Sequence, residues 1–229
     1  SYSQYSNIIT VSKTVEKSFK EVYGQEISVS TIYNPIDVDD IKIRGQEDID
    51  DFDKDMLNLV TVGRLVSQKG YDILLCIIKR LKENDLKFKL RILGEGELYE
   101  HLFAYIKQND LQNHVQFIGF KKNPYPYIAK SDLFVCSSRS EGYSLVIAEA
   151  LVLGIPVIST YCSGPNELLG DGKYGMLVTN SEEGAYLYEG LKELMTNKEL
   201  LAIYKRKAVE RGNQFSLVKV MSEIERLLY

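Results

Sequence analysis

From residue 57 onward, short apolar segments alternate along the chain with longer amphipathic ones. The short segments, rich in β-branched residues, cover 57–63, 88–93, 115–119, 133–138, 155–160 and 175–179. Helical periodicity is found near 70–83, 96–109, 124–130, 144–153, 163–169 and 181–196. Short apolar strands that alternate with helices are typical of a parallel sheet covered on both faces. The pattern therefore predicts a doubly wound α/β domain, and the apolar spacing after residue 196 predicts further helices.

The first part of the chain has a different organisation. A strand is predicted over 7–12, a helix over 13–23 and a second strand over 27–34. Ser12 is a candidate N-cap of this helix and Gly24 a candidate stop. These elements are too few for a domain of their own. We therefore divide the chain into three parts. Residues 1–34 are the remainder of a preceding domain, 35–56 are an acidic linker, and 57–229 are the main domain with its C-terminal helices.

Candidate binding residues follow the first strand of the predicted sheet. Ligands of doubly wound folds bind beyond the carboxyl ends of the strands. There, Gly63 permits close approach of a ligand to the backbone, and Arg64 and Lys69 supply positive charge. The alternative is a loop with solvated cations. After the next strand, Gly94 and Gly96 form only the beginning of a dinucleotide-binding glycine pattern and predict a tight turn.

The segment SSRSEGYSLVIAEAL is the most informative part of the chain. Its strand ends in polar residues, which are followed by Glu141, Gly142 and a helix that begins near Tyr143 or Ser144. Backbone amides at a helix N-terminus bind anions. The amides of Ser144 and Leu145 are therefore candidates for holding a diphosphate.

Two carboxylates of this segment are predicted near the same edge of the sheet. Glu149 lies in an otherwise apolar helix, where an unpaired carboxylate is costly, so it needs a hydrogen-bond donor. Glu141 lies on the loop before that helix. Carboxylates in such a place can accept hydrogen bonds from sugar hydroxyls. The alternative is a Glu141 that caps the helix and a Glu149 on the surface.

Composition limits the classes of partner. The chain has 28 basic and 32 acidic residues, and its net charge of −4 argues against a nucleic-acid binder. Nine carboxylates lie between Asp37 and Asp55, where two Asp-x-Asp patterns occur outside the sheet loops, so we expect no metal site. Three cysteines without metal-ligand spacing, and no secretory or membrane-spanning segment, predict a reducing, cytosolic compartment.

Several motifs, taken in order, resemble the donor-binding half of retaining glycosyltransferases with the GT-B fold. They are GRLVSQKG, LGEGEL, VQFIGF, SRSEGYSLVIAEAL and GIPVIST, within about residues 57–180. More narrowly, the chain is similar to glycosyltransferase family four, the glycosyl transferases group 1, which carry two glutamates in an E-x7-E motif. The resemblance implies a Rossmann-like parallel sheet with helices on both faces. It also implies a preceding N-terminal domain that binds the acceptor, to which 1–34 would belong.

The resemblance also implies roles for the candidate residues. Arg64 and Lys69 would neutralise the donor diphosphate and Glu141 would contact hydroxyls of the donor sugar; these three are the predicted catalytic residues. Glu149 would bind the ribose. The other predicted donor-binding residues border the phosphates, the sugar or the base: Gly63, Gly94, Gly119, Phe120, Gly142, Tyr143, Ser144 and Leu145.

The implied reaction transfers a sugar, with retention of configuration, from a nucleotide diphospho-sugar to a glycan or lipid-linked acceptor in surface polysaccharide biosynthesis. UDP is expected rather than GDP. No cofactor and no metal ion would be required, because charge stabilisation of the departing diphosphate carries catalysis. The expected location is the cytoplasm, where the protein could attach peripherally to the inner face of the membrane. The chain alone is expected to bind the donor but not to transfer sugar.

Two departures from the family pattern and two alternative functions are to be weighed. Ser144 stands where many relatives have Gly or Pro, and Tyr161 where an acidic residue is frequent, which leaves the donor identity open. A sugar-nucleotide epimerase of the same fold is one alternative, and it would not need Arg64 and Lys69 as a phosphate clamp. A non-catalytic scaffold is the other, against which the intact candidate residues argue.

Overall fold

The residues before the main sheet form a strand, a helix and a second strand. The computed structural model describes residues 8–228 except Asp51, Lys54 and Asp85. The three elements are β1 (Ile8–Thr10), α1 (Lys13–Tyr23) and β2 (Val29–Thr31), and the two strands pair in parallel. The Ser12 hydroxyl caps α1 by accepting a hydrogen bond from the Val15 amide, and α1 ends at Gly24 with a φ of 107°. The predicted order, cap and stop are confirmed.

The acidic segment 35–56, predicted as a linker, contains a helix. α2 (Val38–Arg44) begins after Asp37, whose carboxylate accepts a hydrogen bond from the Asp40 amide at 3.0 Å. Ile41 is buried and packs into the core of the main domain. With so little buried surface, α2 lacks the repeated apolar spacing that predicts a helix from sequence. The first Asp-x-Asp pattern thus supplies a helix cap, and the second lies partly outside the described residues.

Six parallel strands form the central sheet. They are β3 (Leu57–Val62), β4 (Phe88–Leu93), β5 (Val115–Gly119), β6 (Leu133–Cys136), β7 (Val157–Thr160) and β8 (Met176–Val178). The helices of this domain are α3 (Tyr71–Lys82), α4 (Tyr99–Gln108), α5 (Tyr125–Ala129), α6 (Leu145–Val152), α7 (Ser163–Leu168), α8 (Ala185–Thr196), α9 (Lys198–Gly212) and α10 (Leu217–Leu228). Within the described ranges, no helix is long and apolar enough to span a bilayer. The predicted strands and helices are confirmed, with ends that differ by a few residues.

Side chains of each strand alternate between two apolar cores on opposite faces of the sheet. On one face, Leu59, Leu133 and Val135 pack with residues of α3, α4 and α8. On the other face, Val60 and Phe134 pack with residues of α5, α6 and α7. Helices therefore cover both faces, which explains why the strands are mostly apolar.

The strand order places one crevice at the carboxyl edge of the sheet. The order is β5-β4-β3-β6-β7-β8, and neighbouring strands are parallel throughout. The chain adds β4 and β5 on one side of β3, and then β6, β7 and β8 on the other. The direction of winding reverses between β3 and β6, and a crevice forms where their ends diverge.

Candidate functional site

The crevice between the ends of β3 and β6 contains the predicted catalytic residues. The loop after β3 carries Gly63 and Arg64 and ends in a short 3-10 turn, Ser67–Lys69. The loop after β6 carries Glu141. Ligands of doubly wound folds bind where the winding direction reverses. The fold therefore brings the two predicted motifs together at the edge where binding is expected.

Lys69 and Glu141 form an ion pair across this crevice. Nζ of Lys69 lies 2.6 Å from Oε2 of Glu141, and only 18% and 12% of the two side chains are exposed. The Ser138 hydroxyl donates a hydrogen bond to the same carboxylate oxygen at 3.2 Å. A Cβ on Gly63 would lie 3.3 Å from Cε of Lys69, so glycine leaves room for the lysine stem.

Arg64 is an exposed cation in the loop after β3, at the crevice. Its carbonyl accepts a hydrogen bond from the Val66 amide at 2.9 Å, which fixes the backbone of the turn. Its guanidinium has no ion pair or hydrogen bond with the part of the chain that the structure describes. A guanidinium in this state can form two parallel hydrogen bonds with a phosphate.

Arg139 joins the two loops, a contact that the sequence analysis did not predict. Its guanidinium donates hydrogen bonds to the Asp72 carboxylate at 2.8 and 2.7 Å and to the Ser67 carbonyl at 2.7 Å. Its amide donates to the Gln68 carbonyl at 2.8 Å. Hydrogen bonds from the guanidinium lower the pKa of Asp72, because they stabilise its charged form. A bidentate pair fixes orientation as well as distance, so Arg139 holds the two loops together.

The Ser138 carbonyl is a second point at which the loop after β6 is fixed. It accepts hydrogen bonds from the Thr160 hydroxyl at 2.6 Å, the Asn180 side-chain amide at 3.2 Å and the Cys162 thiol at 3.3 Å. Burial raises the pKa of the Cys162 thiol to about 11, so the thiol keeps its proton and remains a donor. None of these three donors was predicted as a site residue.

The N-terminus of α6 lies beside the same crevice. Ser144 lines a small cavity together with Lys69, and no side chain caps α6 at this end. Gly142 and Leu145 are exposed. The ring of Tyr143 packs beside another ring, that of Tyr33, with 5.9 Å between the centroids. This segment is therefore predicted to contribute the backbone amides at the start of α6, which no side chain caps.

Glu149 of α6 has the hydrogen-bond donor that its apolar surroundings require. The Tyr125 hydroxyl donates to Oε1 of Glu149 at 3.3 Å, and the Arg44 guanidinium lies 4.8 Å from the centroid of the Tyr125 ring. Burial raises the pKa of Glu149, and the Tyr125 hydrogen bond and the Arg44 charge oppose that shift. Glu149 and Glu141 therefore have different partners.

The ends of β4 and β5 form the other side of this edge. Gly94 has a φ of 135°, and a Cβ there would lie 2.0 Å from the Gly63 carbonyl oxygen, so the approach of the two loops requires glycine. The Gly94 amide donates to the Gly119 carbonyl at 2.9 Å. Phe120 is 69% exposed, and its amide donates to the Glu95 carboxylate at 3.4 Å. The predicted base-binding residues thus lie at the same sheet edge.

The start of α7 contacts the loop that carries Glu141. The Gly164 amide and the Ser163 hydroxyl both donate to the Glu141 carbonyl at 3.2 Å. A Cβ on Gly164 would lie 2.1 Å from the Gly142 carbonyl oxygen. Glycine is therefore required for α7 to approach this loop.

The end of α7 contacts the N-terminal residues. Oε1 of Glu167 accepts hydrogen bonds from the Lys13 amide at 3.0 Å and from the Tyr33 hydroxyl at 2.5 Å. Burial and this carboxylate raise the pKa of Tyr33. One short helix thus joins the N-terminal residues to the crevice.

Possible metal ligands are dispersed within the described ranges. No three His, Cys, Asp or Glu residues there form a group that could hold a metal ion. A metal-independent reaction stays a prediction.

Comparison with known proteins identifies relatives along most of the chain. Residues 43–211 match the family model described as Glycosyl transferases group 1. The N-acetylgalactosamine-N,N'-diacetylbacillosaminyl-diphospho-undecaprenol 4-alpha-N-acetylgalactosaminyltransferase of Campylobacter jejuni is 38% identical, over 86% of this chain and 52% of the relative. An uncharacterised glycosyltransferase of Methanocaldococcus jannaschii is 31% identical, over 99% of this chain and 64% of the relative. The chain thus spans only part of the length of these curated relatives.

Solved structures share the fold. Staphylococcus aureus TarM, in complex with fondaparinux, alpha-GlcNAc-glycerol and UDP, has a TM-score of 0.82 at 20% identity, over 98% of this chain and 44% of TarM. Anabaena HepE, in complex with UDP-glucose, has a TM-score of 0.81 at 24% identity, over 97% of this chain and 63% of HepE. At these identities the likeness concerns the fold, and it confirms the predicted GT-B architecture.

The family match includes both loops of the crevice and the strands that place them. It agrees with the resemblance carried by the ordered motifs. The chain belongs to the glycosyl transferases group 1 family.

Proposed function

We propose that this chain is the donor-binding part of a retaining glycosyltransferase, and that its crevice binds a UDP-linked sugar. The sugar is transferred to a glycan or lipid-linked acceptor during biosynthesis of a surface polysaccharide or glycolipid. The observation that carries this proposal is the placement of Lys69, Glu141 and Arg64 in one crevice where the winding of the sheet reverses.

The chemistry follows from the charges of these residues. The leaving group is a nucleoside diphosphate, whose negative charge grows as the bond to the sugar breaks. Arg64 and Lys69 stabilise that charge, together with the amides at the uncapped start of α6. Glu141 accepts hydrogen bonds from hydroxyls of the donor sugar, and Glu149 from the ribose. With two protein cations at the diphosphate, the proposal includes no metal ion.

Relatives support the choice of substrates. TarM and HepE were crystallised with UDP and UDP-glucose, respectively, which supports UDP over GDP. The name of the Campylobacter jejuni relative includes a diphospho-undecaprenol acceptor, which supports a lipid-linked acceptor here. A lipid-linked acceptor in turn supports a cytoplasmic location at the inner face of the membrane.

The two alternative functions, a sugar-nucleotide epimerase and a non-catalytic scaffold, receive less support. The named relatives are glycosyltransferases, and none of those reported above is an epimerase. A scaffold without activity has no need for a mostly buried ion pair beside an exposed arginine, and both are present in the crevice.

Isothermal titration of the chain with UDP, GDP and their sugars tests the proposal. We expect UDP to bind, and Arg64→Ala to weaken its binding about 10- to 100-fold, because a charge-assisted pair of hydrogen bonds is lost. Glu149→Ala is expected to weaken it about tenfold through loss of the ribose contact. Arg206→Ala, an exposed arginine of α9, is the matched control and should leave the affinity unchanged. Failure of the unaltered chain to bind any nucleotide would contradict the proposal.

A further inference from the structure

The pairing of Lys69 with Glu141 has a consequence for which ligands the crevice accepts. In this structure the Lys69 ammonium is already neutralised by a carboxylate 2.6 Å away, and both side chains are mostly buried. Among the described residues, the carboxylate has one further donor, the Ser138 hydroxyl at 3.2 Å. For Lys69 to bind a phosphate, it must therefore share or leave Glu141.

A nucleoside diphosphate alone is poorly matched to this arrangement. Its phosphates attract Lys69, but Glu141 repels them, and water screens the repulsion weakly because the pair is mostly buried. If Lys69 turns to the phosphate, Glu141 keeps its charge with only the Ser138 hydroxyl as a partner. A mostly buried charge that loses its partner is destabilised. The free energy lost when Glu141 is left without the lysine opposes binding of the diphosphate.

A nucleotide sugar removes this disadvantage. The sugar on its distal phosphate carries hydroxyl groups, which can donate hydrogen bonds to Glu141 in place of the lysine. Lys69 is then available to the phosphate, and both members of the former pair have partners. The complete donor gives partners to both Lys69 and Glu141, whereas the nucleoside diphosphate gives a partner to Lys69 alone.

We infer that the Lys69–Glu141 pair makes the crevice selective for a nucleotide sugar over the nucleoside diphosphate that the transfer leaves behind. This inference rests on the proposed function, and it assigns Glu141 a second effect besides contact with the sugar. After transfer, the pair re-forms and disfavours the bound product. Donor selectivity and product release therefore depend on the same two side chains.

Hydrogen bonds hold the backbone of Lys69 to the start of the loop after β6, so Lys69 can exchange partners by moving its side chain. The Ser137 hydroxyl donates to the Lys69 carbonyl at 2.9 Å, and the Arg139 amide donates to the Gln68 carbonyl at 2.8 Å. A Cβ on Gly70 would lie 2.1 Å from the Ser137 carbonyl oxygen, which shows how closely the loops approach. Rotation about the side-chain bonds of Lys69 can therefore carry its ammonium from Glu141 to a phosphate.

The test compares the Kd of UDP with the Kd of UDP-glucose, UDP-N-acetylglucosamine and UDP-N-acetylgalactosamine, measured on the chain and on Glu141→Gln. The unaltered chain is expected to bind one of the sugars more tightly than UDP. Glu141→Gln is expected to bind UDP about tenfold more tightly, because the competing carboxylate is gone, and to lose its preference for the sugar. Inorganic pyrophosphate, which has neither base nor sugar, should also bind the variant more tightly.

Glu210→Gln is the matched control, since it removes a glutamate from an exposed pair with Lys173 on another part of the surface. It should leave both affinities unchanged. Glu141→Asp keeps the charge, so it should tighten UDP binding less than Glu141→Gln does. Glu141→Ala, which also removes the charge, serves as the test variant if Glu141→Gln does not fold. UDP binding that is unchanged or weaker in the test variant overturns this inference. A chain that binds no nucleotide at all overturns the proposed function instead.

Discussion

The carboxylate of Glu149 is mostly buried in α6, and burial raises its pKa. A folded state with a raised carboxyl pKa binds the proton more strongly than the unfolded chain does. The stability that this group contributes is therefore complete below its ordinary pKa of 4.5 and is lost as the pH rises through the folded value. At neutral pH the ionised Glu149 makes the fold less stable than a neutral side chain of the same shape would.

Glu149→Gln should therefore stabilise the fold at pH 7. The glutamine oxygen can still accept the Tyr125 hydrogen bond, and the cost of burying a charge disappears. We expect a Tm about 2–4 °C higher at pH 7, which corresponds to about 1 kcal/mol for a chain of this size, and a smaller difference near pH 4.5. Differential scanning fluorimetry at both pH values measures this. An equal difference at the two pH values would show that ionisation of Glu149 is not the cause.

At the residue scale, the sequence indicated the charged groups of the site but not the residues that hold them. Lys69 and Glu141 follow strands that are neighbours in a doubly wound sheet, and this made their proximity predictable. The contact of Arg139 with Asp72 depends on where α3 begins relative to the loop after β6. That distance follows from tertiary packing and not from local pattern. The one sequence signal for this contact was the position of Arg139, directly after the predicted strand 133–138.

At the scale of elements, the loops after β3 and β4 approach through glycine. Gly94 and Gly119 both have positive φ, 135° and 75°, but only a Cβ on Gly94 would overlap another atom. Gly119→Ala should therefore cost about 1 kcal/mol from backbone strain alone. Gly94→Ala should cost about 3 kcal/mol or more, because the loop must also move away from the Gly63 carbonyl.

Urea unfolding of the two variants measures this difference in the free energy of unfolding. Because the two positions share a positive φ, Gly119→Ala is the control for strain without overlap. Gly94→Ala is also expected to weaken UDP binding, since the overlap with the Gly63 carbonyl also disturbs the loop after β3, which carries Arg64. Equal destabilisation of both variants would contradict a requirement for close approach at Gly94.

The elements themselves were largely predictable, since the strands of the sheet are mostly apolar and the long helices have an apolar face. α2 was not, because a seven-residue helix that buries Ile41 has no repeated spacing. The start of α8 at Ala185, later than predicted, follows a left-handed Gly184 whose Cβ would overlap Ile73. The exact ends of a helix depend on contacts with residues that are distant in sequence. The apolar periodicity of the helix itself does not reveal those contacts.

At the scale of the whole molecule, an acidic chain presents two cations at the edge of its sheet. The net charge is −4, yet Arg64 and Lys69 lie where the diphosphate is proposed to bind. Because these cations supply the neutralising charge, we expect the Kd of UDP in EDTA to equal that in Mg²⁺ within about twofold. Titrations at matched ionic strength measure this. Loss of UDP binding in EDTA that Mg²⁺ restores would contradict metal independence.

The placement of α7 has a mechanical consequence. Its first residues are bonded to the loop of Glu141, and its Glu167 is bonded to the Lys13 amide and the Tyr33 hydroxyl. Gly164 and Glu167, which make two of these contacts, are separated by only two residues of the helix. The two sets of contacts are thus about one helical turn apart. A displacement of the N-terminal residues is therefore expected to reach the loop of Glu141 by two routes, through α7 and through the Tyr33–Tyr143 ring contact.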